Sequence, residues 1–320
     1  MSTPKSHHYV PQFYLRRFEN AEGRIDVFDK TNGNTFQSGT DSIACINYFY
    51  RVPQLVEYGL DPVHLERQLS GVEYEAANII SDWFQHVERG DRLIIPEVNR
   101  HIISQFVCLQ MLRTVEARNN LLQTISQLIA GAPEAPRLPE TIDGQNSLHA
   151  SLLWSDSMVE ERVRCLKERI WIIGKNESER TFLTSDHPVL IESGDNAGFV
   201  LDKIFLSSLL GEPSISEDDY VVYPLSPSLI LYMYDRCKYP MMDDFDGSVS
   251  PISFTPEMVN HENSGQVGMS YRFVYSSDGD FAFARKFIRD QPWVAHTDRN
   301  RYETHDNPYL GADAINSDDP

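Results

Sequence analysis

Two adjacent histidines lie in a short N-terminal segment that is rich in groups able to do chemistry. His7 and His8 are followed closely by Gln12 and Arg16, among aromatic side chains that would anchor an otherwise frayed terminus. Histidine titrates near neutral pH and arginine presents a fixed fork of donors, so the segment suggests a general base beside an anion clamp. Neighbouring residues of an extended segment point to opposite faces, so we expect at most one of the two imidazoles to enter a given site.

Arg113 stands where a charged side chain is unusual. It continues an apolar stripe with helical spacing, formed by Ile102, Phe106 and Leu109. We therefore expect the guanidinium to point inward, where it needs an acidic or carbonyl partner because an unpaired buried ion costs several kcal/mol. A snorkelling arginine or a structural ion pair is the alternative. The candidate acidic partners are Glu66, Glu73 and Asp186.

Glu66 and Glu73 are seven residues apart on a predicted helix, each next to an apolar stripe residue. They would lie on one side of the helix, about 10.5 Å apart along its axis. That separation is too long for the two carboxylates to chelate one ion unaided, and solvated glutamates at the boundary of a buried face would show the same pattern.

Asp186 is the preferred acid because it follows a short strand, where side chains are displayed at the strand end. It could hold Arg113, orient a histidine or ligate a divalent cation. Alternatively, Ser185 and Asp186 hydrogen-bond the turn that contains them. The sequence around Ser185 has no Gly-x-Ser-x-Gly elbow, so we do not expect this serine to be a nucleophile.

Two functional hypotheses follow and both stay open. In the first, the chain is a hydrolase acting on a phosphorylated or otherwise anionic substrate, such as a nucleic-acid fragment, in a phage defence or toxin setting. Arg16 and Arg113 would bind the anion with help from Gln12 and Ser185, His7 or His8 would be the base, and Asp186 would orient it or bind a divalent metal. In the second, the chain is a non-catalytic recognition module with a protein partner, and the polar cluster is structural.

Composition and charge exclude several classes of protein. The 320 residues carry 28 basic and 47 acidic side chains, a net charge of -19, which disfavours generic coating of nucleic acid. Residues 1–132 contribute only -3 and residues 133–320 contribute -16, so an anion-binding surface is expected in the first part. Four widely spaced cysteines, the lack of an apolar signal core and the lack of a long apolar run indicate a cytoplasmic protein without a membrane span.

The periodicity predicts an α+β fold, in which an N-terminal hairpin and a helical layer pack against a C-terminal antiparallel sheet. Residues 24–37 form the hairpin around Asn32 and Gly33. Helices are predicted from Leu65, from Pro96 through to Ala130, and from Ser147 to Arg169. Short β-rich runs follow, then a hairpin over residues 220–234 and a helix from Thr255.

The predicted organisation has four segments within one compact unit. Residues 1–132 contain the hairpin and the first helices, and residues 133–147, with three prolines, form a linker or long loop. Residues 148–292 contain a further helix and the sheet. Residues 293–320 form a polar, acidic tail that we expect to be loosely held.

Several of these motifs together resemble a bacterial family catalogued as domain of unknown function 4238. The likeness lies in the His-His-Tyr-Val-Pro-Gln-Phe-Tyr-Leu-Arg opening, in Gln110 with Arg113-Thr114, in Thr184-Ser185-Asp186-x-Pro188-Val189, in Pro224-Leu225-Ser226-Pro227, and in the helix at Asn260 that leads to Tyr275. The chain has His187 where the family pattern has asparagine. The resemblance implies that these distant segments belong to one structural unit, and it implies no reaction.

Overall fold

The chain folds into a mixed α+β structure, which confirms the predicted class. The computed structural model describes residues 5–89, 93, 95–130, 137–154, 156–193, 198–199, 215–216, 218–250 and 252–300. Its helices are α1 Gln12–Leu15, α2 His64–Arg89, α3 Glu97–Leu112, α4 Val115–Ala130, α5 Ile142–Leu153, α6 Asp156–Glu168, α7 Pro256–Met269 and α8 Ala282–Asp290. Short 3-10 turns cover Arg16–Phe18, Pro53–Tyr58, Pro240–Phe245 and Pro292–Ala295. Among the described helices, none combines the length and apolar character that crossing a membrane requires.

The described strands form three sheets. The first pairs β1 (Ser6–His8) with β4 (Cys45–Asn47). The second has six strands in the order β11 (Ser248–Val249), β5 (Ile170–Lys175), β10 (Leu229–Tyr234), β9 (Asp219–Ser226), β7 (Leu190–Ser193) and β8 (Gly198–Phe199). The third has the order β3 (Asn34–Ser38), β2 (Ile25–Asp29), β12 (Phe273–Ser276) and β6 (Thr184–Ser185). Within the six-stranded sheet, β11 pairs with β5 in parallel and the other described pairs are antiparallel.

Helix α2 follows its sequence pattern closely. Its buried side chains recur at helical spacing, at Leu65, Leu69, Ala76, Ile80, Trp83 and Val87. Trp83 meets Trp171 of β5 edge to face at 6.0 Å, so this helix belongs to the core on one face of the six-stranded sheet. The other face of the sheet packs under α7, where Val222 and Tyr232 contact Val259 in a separate apolar cluster.

The long helix predicted from Pro96 to Ala130 is wrong, because the chain breaks between α3 and α4 at Arg113 and Thr114. The Arg113 carbonyl accepts a hydrogen bond from the Tyr50 hydroxyl at 2.8 Å. The Thr114 hydroxyl accepts one from the Ala117 backbone N–H at 3.1 Å, which starts the next helix as a side-chain cap. Tertiary contacts and a capping residue therefore divide one continuous apolar pattern into two helices.

The helix predicted from Ser147 to Arg169 is also two helices, α5 and α6. Helix α5 begins at Ile142, inside the segment 133–147 taken from the sequence as a linker or loop. The Thr141 side chain caps it by accepting from the Gly144 N–H at 3.1 Å. Residues 131–136 lie outside the described residues, and the division of the chain into segments stays a prediction.

The N-terminal hairpin forms where it was predicted and joins C-terminal strands. Strands β2 and β3 pair in antiparallel register, and Gly33 in their turn has a φ of +74°, which favours glycine. Strand β2 pairs on its other side with β12, and β12 pairs with β6. The N-terminal hairpin is therefore part of the same sheet as two later strands.

The start of the acidic tail is held in place. Arg299 is buried and its Nη2 donates to Glu116 of α4 at 2.8 Å. A buried guanidinium beside a buried carboxylate holds the segment around residue 299 against α4. That the tail as a whole is loosely held stays a prediction. Residues 301–320 lie outside the described residues.

Candidate functional site

Arg113 points inward as predicted and is held by groups from three distant segments. Its Nη1 donates to Glu73 Oε1 at 2.6 Å and its Nη2 donates to the His8 carbonyl at 2.5 Å. Its Nε lies 3.4 Å from the Tyr50 hydroxyl. Burial by itself would lower the pKa of Arg113, but Tyr50 and Glu73 outweigh that effect and the pKa is raised. The guanidinium therefore stays charged. We call Arg113, Glu73, Glu66, His8 and Tyr50 the Arg113 cluster.

The opening histidines take opposite sides of β1, as an extended segment requires. His7 is fully buried, stacks on the Tyr50 ring at 5.9 Å, and its Nδ1 accepts from the Tyr50 backbone N–H at 3.0 Å. The backbone carbonyl of Tyr9 accepts a hydrogen bond from the Gln110 side chain at 3.0 Å. The first bond holds residue 7 against Tyr50, and the second joins residue 9 to α3.

Two titratable groups of the Arg113 cluster keep polar atoms without a hydrogen-bond partner in the described part of the chain. These buried atoms are His8 Nε2 and Glu66 Oε2. Burial lowers the pKa of His8. Burial raises the pKa of Glu66 to about 7, although the Arg113 charge acts in the other direction. Glu66 can therefore exchange a proton near neutral pH.

Asp186 does not contact Arg113 through any recorded bond among the described residues. Its Oδ1 accepts from the Tyr271 N–H at 2.7 Å, and its Oδ2 accepts from the N–H groups of Arg272 and Phe273 at 2.8 Å each. Burial raises the pKa of Asp186 to about 6, and the three N–H donors oppose that rise. The carboxylate anchors the entry to β12, and its oxygens face backbone donors.

The remaining predicted residues lie in local networks. Ser185 donates from its hydroxyl to Gln266 Oε1 at 2.9 Å and accepts from the His187 N–H at 3.2 Å. Arg16 is exposed and donates to Gln12 Oε1 at 3.2 Å, one helical turn away. A contact between Thr114 Oγ1 and His187 Nδ1 at 2.6 Å joins the α3–α4 junction to the Asp186 loop. The structure thus brings Arg113, Glu73, Glu66 and His8 together and places Gln12 with Arg16 elsewhere.

A cavity of about 540 Å³ lies between α2, α3, α5 and α6, and we call it the helical cavity. Buried aliphatic side chains line it, including Leu65, Leu69, Leu109, Leu153 and Val163. Polar and charged groups at its lining are Gln68, His101, Gln105, Glu160, Arg164 and Lys167. An apolar stripe with helical spacing, such as the one that includes Leu109, does not by itself distinguish a filled interface from a partly open one.

A second group of polar side chains lies between β7 and α7, and its β7 member is far from the other two in the sequence. In the described part of the chain, Glu192, His261 and Glu262 are the one set of three His, Cys, Asp or Glu side chains whose ligand atoms lie within 4.8 Å of one another. His261 Nε2 is 3.0 Å from Glu192 Oε1. We call these three residues the Glu-His-Glu cluster.

Tyrosines surround the Glu-His-Glu cluster beneath α7. The Tyr232 hydroxyl donates to Glu262 Oε1 at 2.7 Å, and the Tyr220 side chain hydrogen-bonds Glu192. Burial raises the pKa of Glu262 to about 7, and the nearby Glu192 carboxylate acts in the same direction. In the sequence, His261-Glu262 lacks the second histidine of a known zinc motif, and the partner acid is 69 positions earlier. Only the packing of α7 on the sheet brings them together.

These features define the chain as an α+β protein with a six-stranded sheet that has helices on both faces. A buried arginine, Arg113, holds the N-terminal segment against the core. The family model described as "Protein of unknown function (DUF4238)" matches residues 6–280. The chain belongs to this family, which confirms the resemblance found in its motifs. Comparisons with curated proteins and with solved structures gave no match.

Proposed function

We propose that the protein is a non-catalytic recognition module that binds a small amphipathic anion in the helical cavity. The observation that carries this proposal is the cavity itself, with an apolar floor and cationic groups in its lining. A site of this volume, largely apolar with a few polar groups, has the character of small-molecule pockets.

The bonding of the predicted catalytic set supports recognition over catalysis. The guanidinium of Arg113 is buried and each of its three nitrogens already bonds a group of the protein, namely Tyr50, Glu73 and the His8 carbonyl. A substrate anion would have to displace these partners. Asp186 has both oxygens on backbone donors. Buried polar networks satisfied in this way stabilise one conformation.

Charge in the helical cavity favours an anionic head group. Arg164 and His101 are exposed in the lining, and Lys167 lies beside them with its amine 2.8 Å from Glu97. Glu160 is the acidic group of the lining. Arg164 is exposed in the lining, and its charge favours a carboxylate or phosphate on an apolar body.

The test measures binding of dodecanoate and of dodecanol to the full chain. Dodecanoate is expected to raise the melting temperature and to change the fluorescence of Trp154, which lines the cavity. Val72→Phe fills the cavity from α2 and should abolish binding of both ligands. Arg164→Ala should weaken the binding of dodecanoate by about two- to fivefold, which is the effect of losing one exposed charge pair. It should leave the binding of dodecanol unchanged.

Arg289→Ala is the matched control, because it removes an exposed arginine from α8. It should bind both ligands like the wild type. Equal binding to wild type and Val72→Phe would place the ligand elsewhere and remove this proposal.

A second candidate function, hydrolysis of a phosphorylated or anionic substrate such as a nucleic-acid fragment, has one specific observation in its favour. His8 Nε2 and Glu66 Oε2 are without partners in the described structure, and the pKa of Glu66 is near 7. Such groups are suited to acid–base chemistry. A nuclease role in phage defence would use this pair in place of His7 and Asp186.

The hydrolase candidate is tested by screening phosphate esters and short oligonucleotides with wild type, His8→Ala and Glu66→Gln. If the wild type is active and both variants lose the activity, the protein is an enzyme and the recognition proposal is wrong. Activity that neither variant changes would remove these two residues from the chemistry. Metal-dependent thermal stabilisation that Asp186→Ala abolishes would restore Asp186 as a metal ligand.

We infer the partners and the location of the protein from its net charge and its cysteines. The net charge of -19 supports a protein that does not coat nucleic acid, and the cysteine pattern supports the cytoplasm. A protein partner would bind away from Arg113 and Tyr50, because both side chains are buried.

A further inference from the structure

We propose that the Glu-His-Glu cluster is a binding site for a divalent transition-metal ion, Zn²⁺ or Mn²⁺. The site is formed by β7 and α7, on the face of the six-stranded sheet opposite the main core. It is independent of the helical cavity and of the Arg113 cluster, so this inference stands whether or not the proposed recognition function does.

The fold brings the three ligands to one point from two elements. Glu192 lies on β7 in register with Tyr220 of the neighbouring β9. His261 and Glu262 are consecutive residues of α7, which crosses this face. One ligand atom from each residue lies within 4.8 Å of the others, a spread that a metal ion at its centre can bridge with little movement.

Two buried oxygens supply an independent indication of a ligand. Glu192 and Glu262 are only 4% and 6% exposed, and the Oε2 atom of each has no hydrogen-bond partner among the described residues. A buried carboxylate oxygen without a partner is costly, and two neighbouring carboxylates also repel each other. A divalent cation would satisfy both oxygens and cancel the repulsion.

Both carboxylates are already oriented by tyrosines. Glu262 Oε1 accepts from the Tyr232 hydroxyl at 2.7 Å, and Tyr220 hydrogen-bonds Glu192. Outer hydrogen bonds of this kind hold metal-binding carboxylates in position and are part of most metal sites. The tyrosines therefore act as positioning residues for the ligands.

The donor set selects the class of metal. One imidazole nitrogen with two carboxylate oxygens suits Zn²⁺ and Mn²⁺, whereas Mg²⁺ and Ca²⁺ prefer oxygen ligands throughout. Three protein ligands leave coordination positions for water or another small ligand. The His261 side chain is 25% exposed, which gives the site a path to solvent.

The competing explanation is that the two carboxylates and the imidazole share protons and bind nothing. In that case the cluster is a closed hydrogen-bond network. Added metal would then change neither the stability of the protein nor the amount of metal bound per chain. The two explanations differ in a direct measurement.

The experiment uses the full chain after treatment with a chelator, and it titrates Zn²⁺, Mn²⁺ and Mg²⁺ by calorimetry with metal content measured after gel filtration. We expect one equivalent of Zn²⁺ or Mn²⁺ in the wild type and none of Mg²⁺ in its place. Glu192→Gln and Glu262→Gln keep the shape of the ligands and remove their charge. Each should weaken binding at least about tenfold.

Two controls separate metal loss from misfolding and from surface binding. In the absence of metal, Glu262→Gln should melt no lower than the wild type, since it removes one of two repelling buried carboxylates. His296→Ala removes an exposed histidine outside the cluster and should retain the full equivalent. Absence of Zn²⁺ and Mn²⁺ from the wild type, or unchanged binding in both glutamine variants, would overturn the proposal.

Discussion

Buried charges in this protein are held by very different kinds of partner. Arg113 is neutralised by a carboxylate, Glu73, and also donates to a carbonyl. Asp186 is buried to the same degree, yet its recorded acceptor bonds all come from backbone N–H groups. Both arrangements compensate the desolvation of an ion. The charge of the buried Lys30 also favours the ionised form of Asp186.

Asp186→Asn is expected to reduce the free energy of unfolding by about 2–3 kcal/mol. An asparagine keeps one acceptor oxygen and turns the other position into an N–H donor, which would face the N–H groups now pointing at it. Urea unfolding measures the change. Asp82→Asn, at an exposed position of α2, is the control and should be neutral. A similar stability of Asp186→Asn and wild type would mean that these N–H bonds contribute little.

Glu66→Gln should change the pH dependence of stability. The folded pKa of about 7 lies above the ordinary value of 4.5, so the folded state binds this proton more tightly than the unfolded state. The free energy of unfolding of the wild type therefore falls as pH rises through about 7, and the variant lacks that contribution. The stability gain of Glu66→Gln over wild type is expected to grow by on the order of 2 kcal/mol between about pH 5 and about pH 8.

The measurement is urea unfolding at both pH values in the presence of a chelator. Glu88→Gln, an exposed glutamate on the same helix, should show no pH-dependent difference from wild type. If Glu66→Gln differs from wild type equally at both pH values, the carboxyl does not change its protonation in this range.

At the scale of elements, the α3–α4 junction connects the parts of the molecule. The Tyr50 hydroxyl binds the last carbonyl before the break, at Arg113, and Thr114 caps the next helix. The same threonine reaches His187 in the loop after β6. A two-residue interruption in a helical pattern thus sets the position of the N-terminal segment and of the Asp186 loop.

Thr114→Ala should therefore reduce the free energy of unfolding by about 1–2 kcal/mol, because it removes a helix cap and a buried hydrogen bond. Thr114→Ser retains the hydroxyl and should lose much less. Thermal or urea unfolding of both variants and the wild type measures the two losses of stability. Equal losses in alanine and serine variants would assign the effect to the methyl group instead of to the hydrogen bonds.

At the scale of the whole molecule, early and late segments share one sheet. Strand β2 of the N-terminal hairpin is paired with β12, and Tyr14 of α1 donates to the Pro224 carbonyl of β9 at 2.7 Å. A residue near the start of the chain therefore depends on residues some two hundred positions later. These contacts support the proposal that the predicted segments form one folding unit.

A fragment of residues 1–132 is accordingly expected not to fold by itself. It would expose the edge of β2 and the core face of α2, because their partners β12 and β5 are missing. Amide chemical-shift dispersion and near-ultraviolet circular dichroism of the fragment, compared with the full chain, measure this. Native-like dispersion in the fragment would show that the first part is an independent domain.

Local patterns in the sequence determined helix α2, the two hairpins and the inward direction of Arg113. Each depends on residues near one another along the chain: an apolar stripe with a period near 3.6 residues, a turn containing Gly33, or a charge placed on an apolar face. The family motifs were also recognisable without a structure, because they are short runs of residues. The helix ends were less well determined, since Tyr50 and Thr114 compete with the continuing apolar pattern.

Only the tertiary structure decided which charges meet. It selected Glu73 as the partner of Arg113, turned Asp186 towards the backbone at 271–273, and brought Glu192 beneath His261 and Glu262. These outcomes depend on strand order and register and on how a helix crosses a sheet. Such features arise from many distant contacts at once, and the spacing of a few residues along the chain does not specify them.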